Sequence, residues 1–317
     1  MPKWSNLMRI IIVGAGSQGC HFAGLLTLAG EDVTLLARGA RVGELAASGI
    51  TLARAGASPE TVHVPVVGDA TATAGVADLI IFAVKTYDLV EAARDAAPIV
   101  GPSTRLLTIQ NGVAAPELVA GLYGADPVIA CVSYTRTLLE SPGIVASGGV
   151  SGGLELGALA AAGDEEVTRL VETLRRAGFD ARHRRDITVA LWEKLLVICV
   201  TGGVMAVARS PLGPVLATRG GREFVRGVIT EADAVATASG VPLRSDAAAR
   251  AYEFVTTKVE PVATSSMLED LLAGRRLETE WLNGEIVRRG EELGAPTPLN
   301  LAICAALAPH VDGGRRN

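Results

Sequence analysis

The stretch RIIIVGAGSQG, residues 9–19, joins a short apolar β-rich run to a glycine-rich turn and the start of a helical pattern. Its glycines have the spacing GxGxxG, which in this strand–turn–helix context indicates a dinucleotide-binding unit, a glycine-rich turn without ligand being the alternative. The first glycine allows the tight turn, the second lets the backbone approach a pyrophosphate, and the third allows close helix–strand packing. The helix N-terminus offers free N–H groups and a favourable dipole to the phosphates. The residues predicted to form the cofactor loop are Gly14, Ala15, Gly16, Ser17, Gln18 and Gly19.

The end of the second predicted strand, in TLLARGAR at residues 34–41, bears on the choice of cofactor. NAD-binding units usually carry an acidic residue there for the ribose hydroxyls. Here Arg38 follows the strand instead, with Arg41 close behind. A guanidinium can stack on adenine and pair with a 2′-phosphate, so the sequence favours NADP(H) over NAD(H). The alternative is that both arginines are solvated surface residues at a strand end.

The first half of the chain alternates strand-like and helix-like segments, with further strands in ADLIIFAVK, RLLTIQNG and DPVIACVSY. This alternation predicts βαβ units and a parallel sheet covered on both faces. The segments LLESPGIVASGG and GGLELGAL predict a more irregular β ribbon, with turns at Pro142-Gly143 and Gly148-Gly149.

From about Asp186 onward, long helical patterns replace the strands. The sequence therefore predicts an α/β chain: an N-terminal Rossmann-type, doubly wound parallel sheet followed by an all-helical C-terminal domain. We place the first domain at residues 1–185 and the second at residues 186–317. The helical patterns cover residues 187–207, 221–239, 245–259, 279–293 and 298–308.

Composition and charge narrow the function classes. The chain has 317 residues, of which 49% are hydrophobic and 20% charged, a globular composition. A net charge of -5 gives no basic field for nucleic acid or an anionic membrane. We find no run that approaches the roughly 20 apolar residues of a membrane span. The first residues lack the features of a secretory signal, and Met1 to Leu7 read as a ragged lead-in.

The scattered cysteines and histidines bear on compartment and metal binding. The four cysteines form no CxxC pair, which fits the reducing cytoplasm, so we expect a cytoplasmic protein. The four histidines show no metal-ligand spacing, and we predict no metal site.

A single lysine interrupts the apolar run LWEKLLVICVTGG at residues 191–203. In a helix, Lys194 would share a face with its apolar neighbours three and four residues away. Burying an unpaired ammonium is costly, so this lysine either extends its charged end to water or is held for a purpose. The residues that share its face are Ala190, Leu191, Val197 and Ile198.

Five segments in the same order resemble the ketopantoate reductase (2-dehydropantoate 2-reductase) family, and they extend over most of the chain. The last and longest of them is the most specific. The resemblance implies a Rossmann domain, a helical domain and an active-site cleft between them. It also implies NADPH-dependent reduction of a 2-keto acid to a 2-hydroxy acid, as in pantothenate biosynthesis. The segments are VGAGSQG (13–19), VKTYD (84–88), QNGV (110–113), WEKL (192–195) and SSMLEDLLAGRRLETEWLNGEIVRRGEELGAPTP (265–298).

The resemblance also implies roles for individual residues. Arg38 and Lys85 match the basic pair around the adenosine 2′-phosphate, and Asn111 matches an asparagine at the nicotinamide end, with a catalytic role. Lys194 matches the catalytic lysine, which stabilises the developing oxyanion and supplies a proton as general acid.

Two residues of the last segment are expected to face the substrate and the lysine. Glu280 would keep Lys194 charged and oriented, and Ser266 would bind substrate. The simpler alternatives are a helix cap for Ser266 and a solvated helix face for Glu280.

The sequence departs from the family where asparagines bind substrate oxygens. The positions four and eight residues after the lysine are Ile198 and Gly202, and a third is Ala263. Each substrate hydroxyl left unpaired costs about 1–3 kcal/mol. We therefore expect a retained reaction and a substrate less polar than ketopantoate, in a pocket that Ile198 and Gly202 widen and dry.

Three alternatives stay open. Ketopantoate itself is the substrate if Thr201, Ser265 or waters replace the missing amides. A relative recruited to imine reduction or to non-redox chemistry is the second alternative, and a nucleotide-sensing protein without turnover is the third. For assembly, apolar helical segments such as residues 302–307 favour a homodimer.

Overall fold

The computed structural model describes residues 7–54, 56–73, 75–147, 153–160 and 163–314. The lead-in before Leu7 and the predicted turn at Gly148-Gly149 lie outside the described residues. The chain divides into two compact units, residues 1–110 with 115–187 and residues 111–114 with 188–317. The division near Ile187 falls two residues after the predicted domain boundary, and the short segment 111–114 groups with the helical unit.

The first unit is built on a large sheet whose central part has the Rossmann strand order. The order across the sheet is β12-β11-β8-β7-β6-β1-β2-β5. The six strands β5, β2, β1, β6, β7 and β8, in their order across the sheet, are all parallel. The next strand, β11, pairs antiparallel with β8. In chain order, the strands are β1 (Arg9–Val13), β2 (Asp32–Leu36), β3 (Ile50–Arg54), β4 (Glu60–Val62), β5 (Val66–Val67), β6 (Leu79–Phe82), β7 (Arg105–Thr108), β8 (Val128–Ser133), β9 (Thr137–Ser141), β10 (Ile144–Ser147), β11 (Leu154–Ala158) and β12 (Ala181–His183).

Both faces of this sheet are covered, as the continuous apolar strands predict. Successive side chains of β1 point to opposite faces: Ile10 and Ile12 enter one core, and Ile11 and Val13 enter the other. The helices of this unit are α1 (Ser17–Leu28), α2 (Arg41–Ser48), α3 (Thr86–Asp95), α4 (Ala114–Tyr123) and α5 (Asp164–Arg176).

The predicted β ribbon is divided between two sheets, which corrects that expectation. The hairpin β9–β10, with its turn at Gly143 (φ 79°), joins β3 and β4 in a separate sheet of order β4-β3-β10-β9. The segment LELGA becomes β11 of the main sheet and buries Leu154 and Leu156. Because an antiparallel neighbour needs no helical crossover, no helix precedes this strand to reveal it in the sequence.

The second unit is helical, as predicted, but two of the long patterns are interrupted. Residues Cys199–Val204 form a π-helical turn between α6 and α7. The pattern over 279–293 divides into a 3₁₀ turn, Thr279–Trp281, and a helix, with the break at Leu282 (φ -119°, ψ -96°). The helices are α6 (Ile187–Ile198), α7 (Met205–Ala208), α8 (Leu212–Leu216), α9 (Arg219–Ala238), α10 (Ala247–Thr257), α11 (Ser266–Leu272), α12 (Asn283–Leu293) and α13 (Pro298–Leu307).

The continuous helical segment Ile187–Ala208 corrects one sequence-based statement. Its 22 residues are long and apolar enough to cross a membrane, although the sequence seemed to contain no run approaching that length. Of its most apolar window, 67% is buried inside the protein. Such burial is typical of a core helix in a globular protein.

Candidate active site

The glycine loop after β1 has the geometry of a phosphate-binding turn. Gly14 has φ 114°, and a Cβ there would lie 2.8 Å from the backbone nitrogen of Val84. A Cβ at Gly19 would overlap the carbonyl oxygen of Gly14, so only glycine allows α1 to pack on the turn. A Cβ at Gly16, by contrast, would meet no atom within 4 Å. The loop is thus closed on the protein side and open at the glycine that would approach a pyrophosphate.

The start of α1 is free to receive an anion. Gly16 is its N-cap and supplies no side-chain hydrogen bond, and the first turn contains no acidic residue. The helix dipole and unsatisfied N–H groups then favour a phosphate. Ser17 begins the helix, and Ala15 receives a hydrogen bond from Nη1 of Arg41 to its carbonyl oxygen at 3.5 Å. These features fit a dinucleotide pyrophosphate.

The side chain of Gln18 is hydrogen-bonded to the protein backbone and does not project freely into the cofactor loop. Its Nε2 donates to the carbonyl oxygen of Thr135, just after β8, at 2.8 Å. Its Oε1 is buried and has no hydrogen-bond partner among the described residues. Gln18 therefore offers its backbone to the loop, while its amide ties α1 to the neighbouring segment.

Arg38 lies exposed after β2 and pairs with α3. Its guanidinium nitrogens lie 3.8 Å from an oxygen of Glu91 and 3.5 Å from an oxygen of Asp95, with 57% of the arginine side chain exposed. Exposed ion pairs of this kind contribute little and exchange easily. Lys85, the half-buried N-cap of α3, is the second predicted partner of the 2′-phosphate. The two carboxylates reduce the net positive charge at this site.

The sequence QNG after β7 gives each residue a separate structural task. Nε2 of Gln110 donates to the carbonyl oxygens of Phe82, at 2.9 Å, and Val84, at 3.0 Å, and so fixes the loop to the end of β6. Gly112 has φ 93°, and a Cβ there would lie 2.7 Å from the carbonyl oxygen of Trp281. Only glycine allows this close approach, and Asn111 lies between the two anchors.

Lys194 is held by Asn111. The lysine Nζ donates to Oδ1 of Asn111 at 2.7 Å, and both residues belong to the helical unit. Lys194 is half-buried on α6, between the buried side chains of Trp192 and Leu195. A charge-assisted hydrogen bond of this length fixes the ammonium in one direction. The lysine therefore does not simply extend into water.

Glu280, the carboxylate that the family resemblance assigns to Lys194, lies exposed on the 3₁₀ turn. The break at Leu282 separates this turn from α12. Glu278, two residues before Glu280, is half-buried and takes part in a polar or ionic interaction. Glu278 is not among the sequence-predicted site residues, because the resemblance assigns the acidic position to Glu280.

Ile198 and Gly202, which replace asparagines of the family, lie among apolar side chains. A Cβ at Gly202 would lie 2.8 Å from Cε of Met267 and 3.7 Å from both Cγ2 of Ile198 and Cδ1 of Leu282. These three neighbouring atoms are all carbons. Met267 fills the space beside Gly202, however, so the glycine does not widen the site as predicted.

The helix-cap alternative for Ser266 is wrong, because the preceding serine caps α11. Ser265, not Ser266, is the N-cap, and its Oγ accepts a hydrogen bond from the N–H of Leu268 at 3.2 Å. Ser266 is exposed in the first turn, where its hydroxyl is not the cap. Thr201, the other proposed substitute for a missing amide, donates to the carbonyl oxygen of Val197 at 3.3 Å.

Comparison with known proteins identifies the family. Residues 10–161 match the family model "Ketopantoate reductase PanE/ApbA", and residues 186–310 match its C-terminal counterpart. A 2-dehydropantoate 2-reductase of Mesorhizobium japonicum is 30% identical over 94% of this chain and 96% of the relative. The chain belongs to the ketopantoate reductase family. It is therefore a member of a family of oxidoreductases, for which a small-molecule substrate and a nicotinamide cofactor are supported.

Two solved structures share the fold of the chain. A PanE/ApbA family ketopantoate reductase from Ralstonia eutropha JMP134 has a TM-score of 0.87 and 33% identity, with 96% of this chain and 99% of that chain covered. A D-mandelate dehydrogenase solved with NADH and anilino(oxo)acetate has a TM-score of 0.88 at 23% identity, covering 96% of this chain and 99% of its own. At that identity, the second likeness speaks for the fold alone.

Proposed function

We propose that the protein is an NADPH-dependent reductase that converts a 2-keto acid to a 2-hydroxy acid with Lys194 as the general acid. The observation that carries this proposal is the 2.7 Å hydrogen bond from the Lys194 ammonium to Asn111. A half-buried lysine held by a residue of a glycine-anchored loop is positioned for a task rather than for solubility. Family membership supplies the reaction class.

The residues of the first unit fit the cofactor. Backbone N–H groups at the start of α1 would hold the pyrophosphate beside Gly16, and Gly14 and Gly19 would maintain the turn. Arg38 and Lys85 would bind the 2′-phosphate, which distinguishes NADPH from NADH. When bound, the reduced nicotinamide supplies the hydride.

Lys194 would manage the charge that develops on the keto oxygen. Its ammonium stabilises the oxyanion and transfers one proton to it, which leaves a neutral amine that regains a proton from solvent. The Asn111 Oδ1 atom accepts one ammonium N–H and thereby directs the remaining protons. An aligned ammonium needs no reorganisation at the moment of reaction.

A carboxylate near the lysine would keep it protonated between turnovers. We propose Glu278 for this role in place of Glu280, because Glu278 is half-buried and engaged in a polar interaction while Glu280 is exposed. Replacing each with glutamine separates the two residues. We expect Glu278→Gln to lower kcat and shift the pH profile, and Glu280→Gln to leave both unchanged. The opposite pattern would return the role to Glu280.

The proposed substrate has a less polar side chain than ketopantoate. Ile198, Gly202 and Met267 present carbon atoms where the family places substrate-binding amides. The second candidate is ketopantoate itself, favoured by the curated relatives named 2-dehydropantoate 2-reductase. Ser266, exposed at the start of α11, is the remaining predicted substrate contact. A cytoplasmic location and a homodimer complete the proposal.

The substrate can be decided by comparing ketopantoate with 3,3-dimethyl-2-oxobutanoate, which differs from it only by lacking the hydroxyl. NADPH oxidation is followed with each compound. Higher kcat/KM for the deoxy compound supports the proposed substrate class, and higher kcat/KM for ketopantoate supports the second candidate. NADPH binding without reduction of any 2-keto acid would favour imine reduction, non-redox chemistry or sensing.

A further inference from the structure

The helix that carries Lys194 changes its geometry one turn after the lysine. α6 ends at Ile198, and the residues Cys199–Val204 continue as a π-helical turn. The N–H of Met205 bonds to the carbonyl oxygen of Val200, five residues back, instead of four. Such turns are rare, and they occur frequently at functional sites.

The wider turn decides which residue is in line with Lys194. Two turns of α-helix span about seven residues, so an unbroken helix would bring Thr201 above the lysine. One α turn and one π turn span about one residue more, which brings Gly202 there instead. A Cβ at Gly202 would lie 3.7 Å from Cγ2 of Ile198, the residue one turn beyond Lys194.

Asn283 contacts this π turn from α12. The asparagine is fully buried, and its Nδ2 donates to the carbonyl oxygen of Cys199 at 3.1 Å. In an α-helix that carbonyl would accept the N–H of Gly203. A Cβ at Gly203 would overlap Oδ1 of Asn283, so the amide occupies the space beside the glycine. Asn283 thus supplies a hydrogen bond to the turn and fills its inner side.

A second buried asparagine orients Asn283 from behind. Nδ2 of Asn283 also donates to Oδ1 of Asn300 at 2.9 Å, and Asn300 is itself fully buried. Asn300 in turn donates to Glu231 at 2.8 Å and to the carbonyl oxygen of Val228 at 3.2 Å. Nδ2 of Asn283 is thus engaged twice, in a chain of hydrogen bonds that ends on the π turn, while its Oδ1 has no hydrogen-bond partner among the described residues.

We infer that Asn283 is a positioning residue for substrate selection: it holds the π turn that places Gly202, rather than the hydroxyl of Thr201, in line with Lys194. This inference rests on the proposed function. With Asn283 in place, the position in line with the lysine is Gly202, which is bordered by carbon atoms of Met267 and Leu282. Without it, the turn relaxes toward α-helix and presents Thr201 to the substrate.

The test compares Asn283→Ala with Asn300→Ala, two truncations of fully buried asparagines in one network. For each variant, kcat/KM is measured with ketopantoate and with 3,3-dimethyl-2-oxobutanoate. We expect Asn283→Ala to raise the ketopantoate-to-deoxy ratio by about tenfold. Asn300→Ala removes only one of the two hydrogen-bond acceptors of the Asn283 amide, so it should shift the ratio less than Asn283→Ala does. An unchanged ratio in Asn283→Ala, or an equal shift in Asn300→Ala, overturns the inference.

Two further measurements keep the inference testable if Asn283→Ala is poorly folded or if neither keto acid is reduced. Gly203→Ala acts from the other side of the contact, because its methyl must displace the Asn283 amide, and the same shift in ratio is expected. A crystal structure of either variant should show α-helical bonding over residues 199–204. Retention of the π turn in both overturns the inference, while absence of Lys194-dependent reduction in the wild type counts against the proposed function alone.

Discussion

The Nζ atom of Lys194 donates a hydrogen bond to Oδ1 of Asn111 at 2.7 Å, across 83 positions of sequence. The asparagine is held between Gln110, anchored to the end of β6, and Gly112, which lies close to the Trp281 carbonyl. The lysine therefore depends for its direction on a loop from another part of the chain.

Loss of the Asn111 side chain should impair the chemical step. A hydrogen bond to a charged group contributes about 1.5–3 kcal/mol, so we expect Asn111→Ala to lower kcat by about 10- to 100-fold. Single-turnover oxidation of NADPH measures this effect. Leu118→Ala, on the neighbouring helix α4, serves as a control for general destabilisation. A wild-type kcat in Asn111→Ala would show that the lysine does not need this acceptor.

Arg38 should bind the 2′-phosphate of NADPH. We expect Arg38→Gln to raise the Kd of NADPH by about tenfold or more while changing that of NADH little, because only NADPH carries the 2′-phosphate. Removing the charges of the two carboxylates that pair with Arg38 should have the opposite effect on NADPH affinity. The double variant Glu91→Gln, Asp95→Asn should bind NADPH more tightly, since it frees Arg38 and removes two negative charges. Equal responses of NADPH and NADH in titrations would contradict the assignment.

Two glycines of the cofactor loop should respond differently to the same change. Gly16→Ala should keep the wild-type melting temperature and weaken NADPH binding, because the added methyl enters open space on the ligand side. Gly19→Ala should lower the melting temperature, because its methyl overlaps the Gly14 carbonyl oxygen. Calorimetry with a cofactor titration measures both. A loss of stability in Gly16→Ala that matches that of Gly19→Ala would indicate a purely structural loop.

Stability should fall on mild acidification because of His21. Burial, with the positive charge of Arg54 as a smaller cause, lowers the pKa of His21 from 6.5 to about 4. Between those values the unfolded chain binds a proton that the folded protein does not, so the free energy of unfolding decreases as pH falls from about 6.5 to about 4. The variant His21→Leu should lose this part of the slope in denaturant unfolding at several pH values. An unchanged slope would show that His21 is not the cause.

The features readable from the sequence were those fixed by local geometry. The spacing of Gly14, Gly16 and Gly19 indicates its own turn, and continuous apolar strands such as β1 indicate a sheet buried on both faces. The apolar run around Lys194 predicts a buried helix but does not distinguish α from π geometry. The π turn depends on Asn283, which is distant in sequence, so no local pattern could reveal it.

The division of the helical pattern over 279–293 is hidden from the sequence in the same way. That pattern predicts one helix, but the structure has a 3₁₀ turn over Thr279–Trp281 and a break at Leu282. Strands β3 and β4 were also missed, because their short sheet is completed by the distant hairpin β9–β10. In each case, long-range contacts determine the conformation, and local periodicity does not record them.

The central claim is that Lys194 protonates the keto oxygen as hydride is delivered. The most direct measurement is transfer of deuterium from C4-deuterated NADPH to C2 of the 2-hydroxy acid, in single turnover, by the wild type and by Lys194→Ala. Equal cofactor affinity is first established by titration. The account predicts transfer by the wild type and a rate about 10²- to 10⁴-fold lower in the variant. Transfer at the wild-type rate in Lys194→Ala would contradict it.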